Sequence, residues 1–164
     1  MLVQVFNRWD FVLVWGLVAT VTMTTILYGS QGIGLSRLSL SFLAGTFFTA
    51  NRSWANLLGF IVYMLGGWVF AYLYVLLLMS INFPGIWVGA VIGFVHGLFL
   101  LTVILPLLPY IHPRMATEYD GPTHIRLLEP PGFMGLNYGY RTPLTTLLAQ
   151  TLYGIILGVC YQMS

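Results

Sequence analysis

The sequence predicts an all-α membrane protein: four transmembrane helices as two hairpins, with an ordered polar cap between helices three and four. Three observations predict it. Four apolar runs are each long enough for a helix to cross a hydrocarbon core of roughly 30 Å, which takes about 20 residues. No Asp, Glu, Lys or Arg occurs between Arg52 and Arg114, nor after Arg141, a pattern that the outer surface of a water-soluble domain could not keep. Hydrophobic residues make up 59% of the chain and charged residues 6%, against roughly 25% charged in soluble domains. The length of 164 residues suits a single transmembrane domain over the whole chain.

The first helix is expected at about 11–28. Arg8 ahead of an apolar run resembles a signal peptide, but Asp10 sits at its mouth and Ser30-Gln31-Gly32-Ile33-Gly34 is a poor cleavage site, so it reads as a retained span. At about 35–48, apolar residues recur at helical period around Ser36, Arg37, Ser39 and Ser41, which predicts an interfacial amphipathic helix. Helix two is expected at 54–79, with Asn51 or Ser53 as its cap. Asn82, Pro84 and Gly85 give a tight turn into helix three at 86–110, so helices two and three are expected as an antiparallel hairpin. Helix four is expected at 143–161. Trp9, Trp15, Trp54 and Trp87 lie near these ends, as in an interfacial aromatic belt.

Four spans put both termini on one side. The connections 29–53 and 111–142 carry Arg37, Arg52, Arg114, Arg126 and Arg141, against Arg8 on the other side. That asymmetry places both connections in the cytoplasm and both termini outside. The connection 111–142 is long for a compact protein, which marks it as functional or disordered. Tyr119, Leu127, Phe133, Met134 and Tyr138 are too apolar for a solvated linker, so a folded cap is expected. Its interaction residues are His112, Arg114, Glu118, Asp120, Arg126, Glu129, Asn137, Tyr138 and Arg141, the arginines pairing with lipid phosphates or with the cap's own acids.

Within the membrane, Tyr63, Gly67, Ala71 and Tyr74 form a stripe on helix two. Gln150, Gly154, Gly158 and Tyr161 repeat it on helix four, and helix three carries Gly85, Gly89, Gly93 and Gly97. Small residues at this spacing let membrane helices approach closely, so Gly67, Gly89, Gly93, Gly97, Gly154 and Gly158 are the expected packing positions. His96 lies roughly 15 Å into helix three at about 1.5 Å per residue, at a depth similar to Tyr63, Gln150 and Tyr153. It reads as a cofactor-binding residue for a haem, pigment or quinone, as part of a proton relay, or as a neutral imidazole bonded to Tyr63, Gln150 or Tyr153. A bis-histidine haem would need a second buried histidine from another chain, so no cofactor of the chain's own is expected, while a shared pigment, haem or quinone at a subunit interface stays open.

Several chemistries lack their residues. There is no lysine for a Schiff base, a net charge of +2 argues against nucleic acid, and the single Cys160 rules out an internal disulfide. His112, Glu118, Asp120 and His124 match no common metal-ligand spacing, so no metal is expected. No nucleophile elbow, phosphate-binding glycine loop or His-Glu-x-x-His occurs, so no catalytic residues are assigned and the chain reads as a non-enzyme.

The loop motifs carry a resemblance. His112-Pro113-Arg114-Met115-Ala116, Gly121-Pro122, Leu128-Glu129-Pro130-Pro131-Gly132-Phe133, Gly135-Leu136-Asn137-Tyr138-Gly139 and Arg141-Thr142-Pro143 resemble a family of small four-helix bacterial inner-membrane proteins of unknown function. Gly45-Thr46, Asn51-Arg52 and His96-Gly97 are similar too. The resemblance implies four spans and a bacterial inner membrane, and lends no activity. Tyr63 and Gln150 stand where it would place histidines, which weakens a shared metal or haem role there. The function expected first is a non-catalytic accessory subunit of a larger membrane complex, respiratory or photosynthetic, with the bilayer and other membrane subunits as partners. The alternatives are a lipid- or quinone-binding membrane protein and a small oligomeric transporter.

Overall fold

The structure is a computed structural model that describes residues 9–81, 85–117 and 127–163. Among these, four helices are long and apolar enough to cross a membrane. Span one is α1 (Trp9–Gly32), span two is α3 (Arg52–Ile81) and span four is α6 (Thr142–Met163). Span three runs from Ile86 to Ile111 as α4 (Ile86–Phe99), a π-helical turn (Leu100–Ile104) and α5 (Leu105–Ile111). A short α2 (Leu40–Thr46) lies between spans one and two, and a 3-10 segment (Phe133–Tyr138) precedes span four. The spans extend a few residues beyond their expected ends. Asn51 is the cap of α3: its Oδ1 accepts the N–H groups of Ser53 and Trp54 at 3.0 and 3.2 Å.

The interfacial helix is shorter than the 35–48 expected. Serine side chains compete with the backbone for the same hydrogen bonds, and here they win over residues 35–39. The Ser36 hydroxyl accepts the Leu38 N–H at 3.1 Å and pairs with the Thr142 hydroxyl at 2.8 Å. The Ser39 hydroxyl then caps α2 by accepting from the Phe42 N–H. Leu38 is drawn into the protein and fully buried.

The π turn in span three has a visible cause. Pro106 has no N–H to offer the Thr102 carbonyl, and a proline ring crowds the preceding turn. The helix widens ahead of it, so that the Leu105 N–H bonds to the Leu100 carbonyl five residues back.

Spans one and four form the centre of the bundle. In each, 44% of the most apolar window is buried inside the protein, against 28% for spans two and three. One core joins Ala19, Met23 and Leu27 of span one, Ala71, Tyr74 and Val75 of span two, and Ala149, Tyr153 and Leu157 of span four. The most extensive interface is between spans three and four, whereas spans two and three, expected as a hairpin, touch only lightly. Asn82 and Pro84 of the expected tight turn lie outside the described residues, and the two spans turn their packed faces to other neighbours.

A second core lies at the end of the bundle that carries the two longer connections. It joins Leu38 and Leu43, the span-three residues Leu101, Leu105 and Leu108, and Met115 and Tyr138. At the opposite end the Phe11 and Tyr161 rings pack edge to face at 5.8 Å, uniting the outer ends of spans one and four.

Candidate functional site

The glycine stripes decide which helices touch. A Cβ on Gly154 would overlap the Gly89 carbonyl oxygen, one on Gly93 the Gln150 carbonyl, and one on Gly158 would lie 2.9 Å from the Gly89 Cα. Spans three and four therefore meet backbone to backbone, as small residues permit where lipid supplies no hydrophobic drive. Gly97 faces the aliphatic part of Gln150. Gly67 belongs to another contact: a Cβ there would overlap Thr20 of span one. Two glycines outside the expected packing positions make an equally close seam, because side chains at Gly45 of α2 and Gly59 of span two would overlap the other helix's backbone at Ala55 and Ser41.

With spans two and three engaged elsewhere, a cavity of ≈ 130 Å³ remains between them. Tyr63, Gly66 and Phe70 of span two, His96 and Leu100 of span three, Met23 of span one, Gln150 and Tyr153 of span four and Ala44 of α2 line it. Phe70 is 40% exposed and its ring packs on the His96 imidazole at 4.3 Å, forming the outer lip.

His96 is half-buried, and its partner is none of the three residues expected from depth. Its Nδ1 lies 3.2 Å from the Tyr74 hydroxyl. The Tyr63 hydroxyl contacts the Met23 sulfur at 3.8 Å, and the Tyr153 hydroxyl donates to the Gly67 carbonyl at 2.6 Å. Depth along a helix was legible in the sequence, but azimuth was not, and Tyr74 lies on the face that reaches His96. Gln150 is 3% exposed, and its Oε1 has no hydrogen-bond partner among the described residues; the same holds for Thr146 Oγ1, one turn earlier. Leaving a buried polar atom unpaired costs about 1–3 kcal/mol. Gln150 is among the residues that line the cavity, but its Oε1 is sealed inside the protein and does not open onto it.

The residues at the other end of the bundle form a network across both longer connections. The His112 ring is buried against Phe47, with ring centroids 4.1 Å apart. The Arg114 N–H donates to its Nδ1 at 3.1 Å, while Nε2 lies 3.2 Å from the Leu43 carbonyl and 3.1 Å from the Thr46 hydroxyl. This network assigns the ring proton to Nε2. Burial lowers its pKa below the ordinary histidine value, the Leu43 bond opposes that, and the Arg114 charge adds to it. The Arg114 guanidinium donates to the Thr46 and Phe47 carbonyls at 2.6 and 2.8 Å, closing the carbonyl end of α2 as a cation should.

Arg37 pairs with Glu129 at 3.3 Å and donates to the Asn137 carbonyl at 2.5 Å. The Arg37 N–H donates to the Tyr138 carbonyl at 2.7 Å. The buried Tyr138 hydroxyl donates to the Glu129 carbonyl at 2.5 Å. Burial first, and the Glu129 charge second, raise its pKa. The Asn137 amide donates to the Pro130 carbonyl at 2.9 Å. Arg141 lies apart from this network, over the Tyr140 ring at 5.1 Å. Glu118, Asp120, His124 and Arg126 lie outside the described residues, and among those described no three His, Cys, Asp or Glu residues converge on a metal-sized space.

Comparison of the chain with family models, with curated proteins and with solved structures finds no match.

Proposed function

We propose that this is a non-catalytic membrane protein that binds a lipid-soluble amphiphile, of quinone or lipid type, in the cavity between spans two and three. The observation that carries the reading is the pairing of an apolar, laterally open cavity with a few fixed polar groups at its wall, the general form of small-molecule sites. Met23, Leu100, Phe70 and Tyr63 supply apolar surface. The His96 imidazole, whose ring nitrogens make one hydrogen bond among the described residues, between Nδ1 and Tyr74, supplies a hydrogen-bonding group. In this reading the chain is two helical pairs, spans one–two and three–four, under a polar cap built on His112, Arg114, Arg37 and Glu129. The arginine asymmetry supports a cytoplasmic cap and outer termini in a bacterial inner membrane.

The test is purification from the native membrane in mild detergent, followed by extraction and mass spectrometry. A stoichiometric apolar molecule is expected in the wild type. It should be lost from Gly66→Leu, a substitution into open space at the cavity wall that fills the cavity and leaves the helix seams alone. Equal recovery from both proteins would refute the reading.

An accessory-subunit role is the second reading. It is favoured by Trp87 of span three, which is 80% exposed and lies half a turn around the helix from His96, on a face that a partner's helix could cover. Partner subunits retained in stoichiometric amount in the same purification would support it, and a lone protein would remove it.

A further inference from the structure

A second cavity, of ≈ 580 Å³, opens at the cap end between the end of span one, the segment leading into α2 and the start of span two. It shares no lining residue with the cavity between spans two and three, so the two stand or fall separately. Hydrogen bonds hold its wall. The Tyr28 hydroxyl pairs with the Ser41 hydroxyl at 2.6 Å, and the Gln31 amide donates to the Leu38 carbonyl at 2.9 Å. Arg37, Arg52 and Asn56 also line it.

Charge decides what such a cavity admits. Arg37 contacts the two Glu129 oxygens at 3.3 and 3.4 Å and the Asn137 carbonyl once, which leaves two of a guanidinium's five N–H groups uncommitted. Among the described residues Glu129 is the one acid at this end of the bundle, and it lines the neighbouring cavity instead. The Arg52 side chain has no ion pair or hydrogen bond among the described residues. Two arginines against one carboxylate leave the wall positive. That preference does not hang on either side chain's rotamer, because charge acts over about 8 Å at physiological salt. A guanidinium fork matches a phosphate, and Asn56 adds an exposed amide one turn beyond Arg52 on the same face of span two.

Position decides where the phosphate comes from. Tyr28 is near the end of span one and Arg52 opens span two, so the cavity lies where hydrocarbon gives way to headgroups. Deeper along the same two faces the residues are apolar and exposed: Val21, two turns before Tyr28, and Phe60, two turns after Arg52. A positive mouth above exposed apolar faces suits a phosphate that carries acyl chains.

We infer that this cavity binds the phosphate of an anionic lipid headgroup. Arg52 is the charge that selects it, Arg37 is the second cation at the site, and the acyl chains lie along Val21 and Phe60.

The test is native mass spectrometry of the full chain in an uncharged detergent, titrated with dioleoylphosphatidylglycerol and with dioleoylphosphatidylcholine. The two lipids share their chains and phosphate and differ in net charge. The anionic lipid should bind about fivefold more tightly, the size of one arginine charge near a membrane surface. Arg52→Gln should bind both equally, and Arg52→Lys should keep the preference. Arg141→Gln removes the same charge from a residue outside the cavity and should also keep it. Equal affinities in the wild type would overturn the inference whether or not the variants fold, and so would a preference that survives Arg52→Gln. An equal loss from Arg52→Gln and Arg141→Gln would show attraction by net charge alone and overturn the site. Millimolar sn-glycerol 3-phosphate should leave lipid binding intact; displacement by it would overturn the lipid as the source in favour of a soluble phosphate ester.

Discussion

The two flanks of span three are built on opposite rules. Against span four it lies backbone to backbone through Gly89, Gly93, Gly154 and Gly158, with no space for even a methyl group. Against span two it barely touches, and the gap holds His96, Gln150 and an apolar cavity. The open flank is nevertheless held at a set width, because α2 acts as a strut. Gly45 seats α2 on span two at Ala55 and Gly59, and Arg114 and His112, just beyond span three, grip the carbonyls of Leu43, Thr46 and Phe47. Close packing makes one flank rigid directly, and hydrogen bonds through a third element make the other rigid without filling it.

The comparison breaks most visibly at the sealed flank. Gly154→Leu is expected to cost about 3 kcal/mol or more, since overpacking against backbone leaves no side chain free to yield; a melt in detergent that matches the wild type would show the seam to be looser than described. Arg114→Ala is expected to cost about 2 kcal/mol, through two lost charge-assisted bonds to carbonyls. It should also raise hydrogen exchange in α2 and at the Phe70 lip, leaving the glycine seam protected. Uniform deprotection would mean that the strut does not act on one flank alone.

His112 gives the same strut a pH dependence. Its folded-state pKa is lowered by burial, so the unfolded chain takes up the proton first as pH falls. The strut is at full strength above the ordinary histidine value of about 6.5 and weakens as pH drops below it. Detergent melts from pH 8 to 5 should show that decline in the wild type, and a shallower one in His112→Gln. The smallest effect is expected for Gly66→Ala, where a methyl meets open space. The change should be a slight stabilisation of under about 1 kcal/mol from helix propensity, and a loss instead would place unseen packing in the gap.

Hydropathy made the four spans legible, because lipid imposes length and composition on any crossing helix. The glycine stripes showed that close contact would occur, but not which helix each would meet. Gly67 contacts span one through Thr20, although its stripe matches that of Gly154 on span four, which meets span three. The cavity was not legible at all, since it exists only where two helices fail to meet. Its polar wall was half visible: His96, Tyr63, Gln150 and Tyr153 stand at one depth in the sequence, but pairing His96 with Tyr74 depends on rotation about the helix axes. α2 is shorter than the helical period over 35–48 suggests, because the Ser36 and Ser39 hydroxyls take backbone N–H groups themselves.

The π turn at Leu100–Ile104 sets an angle as well as a shape. The buried positions of span three, from Gly89 through Gly93, Gly97 and Leu101 to Leu105, recur every fourth residue. In a regular α-helix such a series drifts by about 40° per step and would wind off the neighbouring helix. The wider turn takes back part of that drift, so span three works like a vernier, with one residue of slack keeping its two ends in phase. Deleting a single residue there would swing Leu105, Leu108 and His112 by about 100° relative to the glycines. The seam in the membrane and the strut at its edge would then no longer be satisfied by one helix at once.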